Sequence, residues 1–466
     1  MNTKYVSKDG LYSSLKNYSE SNAYPFHMPG HKRNSELLGS ILPYDIDITE
    51  IHGFDDLHAP SGILLKSAEK LKKLYHSEQA YVLVGGSTCG ILSAISSVTH
   101  RGDTVIVARN CHKSVYNGCL LSELDVRFVY PPMTNHGICG SISPSTIKAA
   151  LDECSSAKAV IITSPTYEGV VSDVQTIAEI CHSRDIPLIV DAAHGAHMPF
   201  CKFGKKGEPI SSGADIVITS LHKTLPSLTQ TAAAFVNGEL VSAERFQKSL
   251  DIFETSSPSY ILMASADACL DFIMAGRKTF AAYEKNLLSF YESVSGLEHI
   301  GVLSSASSEQ IFSFDIGKIV ITTNGTDITG TQLADRLREK YSLELEMAYP
   351  TYALAMTSVC DTPKGLERLS KALLETDKTL TSTKNAPTFP SLPKPMKIRM
   401  TAAEIDSLPD VALTRERAAS GRHISRDYIY AYPPGIPIVA PGEIVGTFEY
   451  EYIELLKKSG INIRYK

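Results

Sequence analysis

The segment DIVITSLHKTLPSLTQTA, residues 215–232, holds the most informative residues of this chain. Its β-branched run predicts a buried strand, and Ser220, His222 and Lys223 follow at the strand end, before a loop rich in proline and hydroxyl groups. A lysine in such a loop is most often a solvated surface residue. It reacts with carbonyl groups when burial or a cationic neighbour lowers its pKa, and His222 is a candidate for that neighbour. Lys223 is therefore a candidate imine-forming residue.

A second segment, LIVDAAHGAH (residues 188–197), predicts a strand that ends at Asp191. A carboxylate at this place, followed by two alanines, can lie under a flat ring and keep a pyridine nitrogen protonated. A cofactor that acts as an electron sink requires this. Two other interpretations stay open: a helix-capping aspartate, and a metal site made of Asp191, His194 and His197. We predict no metal, because no further ligand cluster has suitable spacing.

Two further turns follow predicted strands. VGGSTCG (residues 84–90) leads into an apolar helix. Its glycines let an anion approach the backbone, and Ser87 and Thr88 add hydroxyl donors at a helix N-terminus, where phosphate is favoured. An ordinary strand–helix turn is the alternative. In RNCHKS (residues 109–114), His112 is a candidate to stack on the outer face of a ring, and a buried core histidine is the competing interpretation.

Strand-like apolar runs alternate with helical periodicity over the first two thirds of the chain. This pattern predicts an α/β fold with a mainly parallel sheet covered on both faces. The glycine turn, Asp191 and, 32 residues later (223 − 191), Lys223 each stand at the C-terminal end of a separate strand. Ligands of open α/β sheets bind at that edge. The strand end SPTYEGVVSD (residues 164–173) adds Thr166 and Glu168.

Changes in composition divide the chain into four predicted parts. A linker rich in Thr, Ser and Pro, residues 376–395, separates the last two. The parts are an N-terminal arm (1–60), a large cofactor-binding domain (61–300), a smaller α+β domain (301–380) and a C-terminal segment (381–466).

Composition excludes several classes of protein. The 466 residues carry a net charge of -6, so no basic surface for nucleic acid or membrane is expected, and a cationic substrate is weakly favoured. Nine scattered cysteines without a CxxC pair indicate reduced thiols. No signal-peptide-like or membrane-spanning apolar run occurs, which predicts a cytoplasmic protein.

Together these segments resemble the ornithine/lysine/arginine decarboxylase family in its short form, which lacks the N-terminal wing domain of the long acid-inducible enzymes. The resemblance implies a fold-type I enzyme that depends on pyridoxal phosphate. One departure is that Ala402 and Ala403 stand where the family has a Pro-Arg pair. The resemblance spans nearly the whole chain and also includes FHMPGHK (26–32), DITEIHGFDDLHAPSGIL (47–64) and YPPGIPIVAPGE (432–443).

The resemblance also implies roles for individual residues. Lys223 carries the cofactor as a Schiff base, Asp191 holds its ring nitrogen, and His112 stacks on the ring. His222 is an implied proton donor, and the family builds its sites at a homodimer interface, where the arm around residues 27–31 and the loop around Glu443 serve the partner subunit. The remaining implied cofactor-binding residues are Ser87, Thr88 and Ser220 at the phosphate and His194 near the ring.

The implied reaction is α-decarboxylation of arginine, lysine or ornithine, giving agmatine, cadaverine or putrescine for polyamine metabolism. The sequence does not rank these three substrates. Alternatives are an aminotransferase, which needs an arginine for the substrate carboxylate, an eliminating or aldol-cleaving lyase on the same fold, and a non-catalytic regulator that binds the cofactor. The distant cation of the substrate needs a carboxylate, for which the candidates are Glu443, Asp55, Asp56 and Glu168.

Overall fold

A computed structural model describes residues 5–39, 41–304, 308–383, 392–396, 400–433 and 435–465. The N-terminal segment is mostly irregular and contains two short helices. Its first helix is held by a buried carboxylate, because Asp267 accepts a hydrogen bond from the N–H of Leu11 at 3.0 Å. The two helices are α1 (Leu11–Ser19) and α2 (Ser35–Leu38).

A seven-stranded sheet forms the centre of the described chain, in the order β1-β8-β7-β6-β4-β2-β3. The pairs along β7-β6-β4-β2-β3 are parallel, whereas β8 runs antiparallel to both β1 and β7. These findings confirm the predicted α/β fold. The strands are β1 (Gln79–Leu83), β2 (Thr104–Ala108), β3 (Asp125–Val129), β4 (Ala157–Thr163), β6 (Leu188–Asp191), β7 (Ile216–Thr219) and β8 (Ala232–Val236).

Helices cover the sheet, and every residue of β6, β7 and β8 is buried. Strands that are buried along their whole length have both faces covered, which explains their unbroken apolar sequence. The helices of this part are α3 (Ile63–Tyr75), α4 (Gly86–Val98), α5 (Lys113–Leu121), α6 (Pro144–Glu153), α7 (Val174–His182), α8 (Leu221–Thr224), α9 (Ala243–Phe253), α10 (Tyr260–Ala275) and α11 (Arg277–Ser293).

A second, antiparallel sheet follows, in the order β12-β13-β11-β9. A separate pair, β10 with β5, connects this part to the loop after β4. The predicted linker begins too early, because α13 continues through its first two residues, and residues 384–391 lie outside the described residues. The elements are β5 (Val170–Val171), β9 (Gly301–Val302), β10 (Ser313–Phe314), β11 (Lys318–Thr322), α12 (Gly330–Tyr341), β12 (Met347–Tyr349), β13 (Tyr352–Met356) and α13 (Pro363–Asp377).

The C-terminal part consists of short strands and three helices within the described residues. Its own apolar cluster includes Ile429, Val439 and Ile453. In the described parts of the chain, no helix has the length and apolar character needed to cross a membrane. The elements are α14 (Ala402–Asp406), α15 (Arg415–Ala419), β14 (His423–Ile424), β15 (Ile429–Ala431), β16 (Pro437–Val439), β17 (Ile444–Val445), α16 (Thr447–Lys458) and β18 (Ile463–Tyr465).

Candidate active site

A pocket of about 550 Å³ opens at the carboxyl ends of the parallel strands. Residues from both sheets and from the C-terminal part line it, including Glu346 and Tyr432. The structure therefore brings together most of the candidates that the sequence separates widely. The predicted residues that line this pocket are Ser87, Thr88, His112, Thr166, Glu168, Asp191, His194, His222 and Lys223.

Lys223 lies in α8, directly after β7, and its Nζ is 3.0 Å from Nε2 of His194. Burial lowers the pKa of Lys223, while the carboxylates of Asp191 and Glu346 act in the opposite direction. Burial also holds the pKa of His194 well below its usual value, and the charge of Lys223 acts in the same direction. The neutral ring of His194 therefore accepts a hydrogen bond from Lys223 and is placed to take a proton from it.

Asp191 ends β6 and is 4% exposed. One of its carboxylate oxygens accepts a hydrogen bond from the N–H of Ala193 at 3.1 Å. Burial raises the pKa of Asp191, and the charge of Lys223 together with this hydrogen bond opposes the rise. A cationic N–H group at the pocket side would stabilise the ionised carboxylate and would be stabilised by it.

The glycine turn between β1 and α4 places the N-terminus of this 13-residue helix at the pocket. Gly86 has a φ of +76°, a conformation that glycine adopts readily and other residues rarely adopt. Ser87 and Thr88 follow in the first turn, where free N–H groups and the helix dipole favour an anion. The turn can therefore hold a phosphate group.

Glu254 supports the same turn from behind and was not predicted from the sequence. Its carboxylate accepts hydrogen bonds from the N–H groups of Val84 at 3.0 Å and Gly85 at 2.9 Å. A Cβ added to Gly85 would lie 2.8 Å from this carboxylate, so only glycine fits without a shift. Glu254 is 8% exposed and fixes the backbone that leads into α4.

Two more histidines face the pocket. Nδ1 of His112 accepts a hydrogen bond from the N–H of Ser114, and Gly435 lies so close that an added Cβ would be 3.2 Å from Nε2 of His112. Burial and two nearby lysine charges lower the pKa of His112 to about 4, which keeps the ring neutral. His222 donates from Nδ1 to the carbonyl of Thr231 at 2.8 Å, which leaves Nε2 as an acceptor.

Glu443 does not reach the pocket, which corrects the expectation that it faces the substrate. Its two oxygens lie 2.6 Å and 3.0 Å from the guanidinium of Arg109, and one of them also accepts from the N–H of Ala440. The side chains of both partners are almost inaccessible, with 0% exposure for Glu443. A substrate cation in the pocket cannot reach this buried carboxylate, which is already paired with Arg109.

Three other candidates also lie outside the pocket of their own chain. Ser220 is fully buried at the start of α8, and its hydroxyl has no hydrogen-bond partner within the described residues. Asp55 accepts hydrogen bonds from the N–H groups of Ser61 and Gly62 just before α3, so its role here is structural. Asp56 accepts from the N–H of His58 at the exposed arm.

Glu346 and Tyr167 line the pocket but were not singled out as site residues. The hydroxyl of Tyr167 donates to the carboxylate of Glu346, and the ring of Tyr167 lies 4.4 Å from that of His194. Glu346 stands 123 residues after Lys223 (346 − 223), just before β12 of the second sheet. No spacing along the chain indicates this contact.

The residues of the metal interpretation form other contacts. Nε2 of His197 pairs with Asp315 at 3.2 Å, and His194 contacts Lys223. Over the described ranges, no group of three or more His, Cys, Asp or Glu side chains has a metal-binding arrangement.

Comparison with known proteins identifies the family. Residues 9–324 match the description "Orn/Lys/Arg decarboxylase, major domain", which is well over half of the chain. The chain belongs to the Orn/Lys/Arg decarboxylase family. It is an amino-acid decarboxylase, a carboxy-lyase, and the cofactor of this decarboxylase is pyridoxal phosphate.

Curated relatives cover almost the whole decarboxylase. The arginine decarboxylase of Bacillus subtilis (strain 168) is 31% identical over 461 residues, which are 95% of this chain and 92% of that protein. The arginine decarboxylase of Halalkalibacterium halodurans is 30% identical over 481 residues, covering 97% and 94%. The constitutive lysine decarboxylase of Escherichia coli (strain K12) is 22% identical, covering 93% and 74%.

Solved structures confirm the fold. The Escherichia coli constitutive lysine decarboxylase matches with a TM-score of 0.79 at 18% identity, covering 97% of this chain and 79% of that one. Serine palmitoyltransferase from Sphingomonas wittichii matches with a TM-score of 0.56 at 15% identity, covering 81% and 85%.

The pocket of the decarboxylase fits the cofactor chemically. Buried polar atoms without a partner in the described chain cluster at the strand ends, among them Oδ1 of Asn110 and Oγ1 of Thr163. Asp191 offers a carboxylate to a ring nitrogen, α4 offers its N-terminus to a phosphate, and Lys223 offers an amine to an aldehyde. The ring nitrogen, the phosphate and the aldehyde of pyridoxal phosphate therefore each have a complementary group here.

Proposed function

We propose that this decarboxylase removes the α-carboxylate of arginine and releases agmatine for polyamine metabolism. Its action on a basic amino acid follows from the family. The observation that carries the proposal is the pocket in which Lys223, His194 and Asp191 meet beside Glu346, a carboxylate without an ion-pair partner among the described residues. Arginine is favoured over lysine because two relatives at 30% and 31% identity are arginine decarboxylases, whereas the lysine decarboxylase is 22% identical.

The bound cofactor supplies an electron sink for the electron pair that remains when the bond between Cα and the carboxylate breaks. Lys223 would hold the cofactor through its amine, and His194, 3.0 Å from that amine, would exchange a proton with it. The carboxylate of Asp191 keeps the ring nitrogen protonated. His112, neutral and buried, would contact the ring of the bound cofactor, and Nε2 of His222 would deliver a proton to Cα of the substrate.

The phosphate is held at the N-terminus of α4 by Ser87 and Thr88. Ser220 remains a proposed phosphate ligand, supported by its unpartnered hydroxyl next to α8. A substrate without a phosphate gains nothing from these donors, so they serve cofactor retention and not substrate choice.

We propose Glu346 as the residue that binds the guanidinium of arginine. It is exposed within the pocket, lies within electrostatic reach of Lys223, and has one hydrogen bond, from Tyr167. A carboxylate there can accept two parallel N–H bonds from a guanidinium. Glu168 is the second candidate, but it is 7% exposed, accepts from Tyr352 at 2.8 Å, and burial raises its pKa.

A homodimer is part of the proposal. The N-terminal arm exposes large apolar side chains, with Phe26 at 90%, Leu37 at 78% and Ile41 at 92% exposure. Exposed apolar side chains of this size are typical of an interface, and a second copy of the chain would remove them from water. Asp56, exposed on the same arm, stays a candidate ligand for the partner's pocket.

A cytoplasmic location also belongs to the proposal. All nine cysteines are free, and six of them are buried. Free thiols in this number persist in a reducing compartment.

The test is the amine product formed from arginine, lysine and ornithine, each incubated separately with purified protein and pyridoxal phosphate. Agmatine from arginine, absent with Lys223→Ala and retained with the surface variant Lys248→Ala, is the expected result. Cadaverine or putrescine instead would contradict the choice of arginine. Conversion of the cofactor to its pyridoxamine form without amine release would indicate an aminotransferase, although the described pocket lining contains no arginine for a substrate carboxylate.

A further inference from the structure

Tyr167 contacts two pocket residues that have different proposed roles. Its ring centroid lies 4.4 Å from that of His194, with 52° between the ring planes, and its hydroxyl donates a hydrogen bond to the carboxylate of Glu346. His194 in turn lies 3.0 Å from the amine of Lys223. One side chain therefore contacts both the histidine beside the reactive lysine and the carboxylate proposed to bind the substrate cation. The reaction as described so far gives Tyr167 no task.

The imidazole of His194 is not held by a hydrogen bond at its Nδ1 atom. The side chain is 5% exposed, and Nδ1 has no hydrogen-bond partner within the described residues. Its contact at Nε2 is with the amine of Lys223, which stands at the end of a flexible chain of four carbons and fixes the imidazole poorly. The ring of Tyr167 packs against the imidazole and restricts its rotation. The position of His194 beside Lys223 therefore depends on Tyr167.

The loop that carries Tyr167 is fixed by hydrogen bonds and by packing. The N–H of Gly169 donates to the carbonyl of Thr166 at 3.0 Å, and the N–H of Thr166 donates to the carbonyl of Val170 at 2.8 Å, which closes a tight turn. The carbonyl of Gly169 accepts from the N–H of Asp315 at 2.8 Å, so the turn is attached to the segment that precedes β11. The ring of Tyr167 also packs against an apolar cluster that includes residues of the second sheet. Tyr167 is thus a rigid support for the side chains that it contacts.

The hydroxyl of Tyr167 restricts the side chain of Glu346. The N–H of Glu346 donates to the carbonyl of Leu354 at 3.0 Å, so its main chain is fixed by the second sheet, whereas its side chain is exposed. An exposed glutamate samples several rotamers, and the hydrogen bond from Tyr167 favours one of them. A carboxylate has about four lone-pair directions, of which Tyr167 uses one, so both oxygens can still accept from a guanidinium.

We propose that Tyr167 is a positioning residue with two separable tasks: its ring holds His194 against Lys223, and its hydroxyl orients Glu346 for the substrate cation. The second task rests on the proposed role of Glu346, whereas the first does not. A base takes a proton only from a group within hydrogen-bond reach, so the task of the ring affects kcat and the attachment of the cofactor. An oriented carboxylate loses less freedom when the substrate binds, so the task of the hydroxyl affects KM.

Two substitutions of Tyr167 separate these tasks in steady-state kinetics with arginine. Tyr167→Phe keeps the ring and removes the hydroxyl, and it is expected to raise KM about two- to tenfold while kcat stays within about twofold of the wild type. Tyr167→Leu removes both groups. It is expected to raise KM in the same way and also to lower kcat by about tenfold or more, because His194 is no longer held within reach of Lys223. Tyr167→Met is a second variant without an aromatic ring, for the case in which Tyr167→Leu does not fold.

The attachment of pyridoxal phosphate to cofactor-free protein tests the task of the ring without any substrate. Lys223 reacts as the neutral amine, and His194 is placed to take its proton, so the rate of attachment depends on the contact between them. Visible absorbance follows this rate, and borohydride trapping with peptide mass spectrometry verifies that Lys223 is the residue labelled. The rate is expected to match the wild type in Tyr167→Phe and to fall about tenfold in Tyr167→Leu.

Tyr341→Phe is the matched control. The hydroxyl of Tyr341 donates to the exposed carboxylate of Glu375 at 3.1 Å, and Tyr341 does not line the pocket, so KM, kcat and the attachment rate should all stay at their wild-type values.

Glu346→Gln distinguishes a failure of this inference from a failure of the proposed function. An unchanged KM in Glu346→Gln would mean that the proposed cation site is wrong, which removes the task of the hydroxyl, and the attachment rate would still decide the task of the ring. A raised KM in Glu346→Gln together with a wild-type KM in Tyr167→Phe would overturn the task of the hydroxyl alone. Wild-type attachment in Tyr167→Leu, or equally slow attachment in Tyr167→Phe and Tyr167→Leu, would overturn the task of the ring.

Discussion

Glu346 is the pocket carboxylate on which substrate choice rests in the proposed function. It accepts a hydrogen bond from Tyr167, and no cation within the described residues pairs with it. A cationic substrate gains a charge-assisted hydrogen bond there, typically about 1.5–3 kcal/mol. The contribution belongs to binding, since the guanidinium lies away from the carboxylate that is lost.

We expect Glu346→Gln to raise the KM for arginine by about ten- to a hundredfold, because the charge-assisted hydrogen bond to the guanidinium is lost. The change in kcat should be much smaller. Steady-state kinetics with arginine checks this. Glu344→Gln is the matched control, because Glu344 lies two residues earlier and pairs with Arg338 at the surface. An unchanged KM in Glu346→Gln, with a raised KM in Glu168→Gln, would transfer the role to Glu168.

The turn between β1 and α4 is the element that most depends on a distant residue. Glu254 comes from the loop after α9, yet its carboxylate satisfies the N–H groups of Val84 and Gly85. Without it, two buried donors lose their acceptor and the N-terminus of α4 is free to shift. The proposed phosphate site is thus stabilised by Glu254, a side chain that does not line the pocket.

We therefore expect Glu254→Ala to raise the Kd for pyridoxal phosphate by about tenfold or more, because the loss of two hydrogen bonds costs roughly 1–3 kcal/mol. Fluorescence or absorbance titration of cofactor-free protein measures it. Glu254→Gln, which keeps one acceptor oxygen, should lose less. Glu244→Gln, at the exposed start of α9, should bind normally; an equal loss there would point to a general destabilisation of α9.

Much of the element structure could be predicted from the sequence. The strands predicted at the start of residues 188–197 and of residues 215–232 are observed as β6 and β7, because continuous β-branched residues mark buried strands. β8 was missed, since Ala232–Val236 begins with three alanines, which have weak strand propensity, and complete burial between β1 and β7 decides its structure.

Only those site residues that directly follow a strand could be predicted from the sequence. Lys223, Asp191 and the glycine turn lie next to the strands that position them, so their convergence follows from topology. Glu346 lies just before β12 of the second sheet, and no local pattern indicates how that sheet packs on the first. Glu443 was misjudged because its conspicuous motif serves the buried pair with Arg109.

On the scale of the molecule, the pair of Arg109 and Glu443 joins the end of β2 to the C-terminal part. Both side chains are buried, at 2% and 0% exposure, and the geometry is bidentate. Removing one partner of such a pair leaves a buried charge without compensation, whereas removing both does not. The pair therefore contributes more to the position of the C-terminal part than to net stability.

We expect Glu443→Leu alone to lower the free energy of unfolding by about 3–5 kcal/mol, and the double variant Arg109→Met with Glu443→Leu to recover most of that loss. Urea unfolding followed by circular dichroism measures both. Glu367→Gln, which breaks an exposed pair with Lys371, should not move the midpoint. Equal losses in the single and double variants would refute the compensation.

The part of the pocket wall that comes from residues 432–436 affects when, during translation, the pocket can be completed. Tyr432, Pro433 and Ile436 line the pocket, and Gly435 packs against His112. On the ribosome, the strands that position Lys223 are all made before this wall exists, because β8 ends at Val236 and Tyr432 follows 196 residues later (432 − 236). A nascent chain therefore lacks this cover over Lys223 until residues 432–436 have been added, and secure capture of the cofactor must await their synthesis.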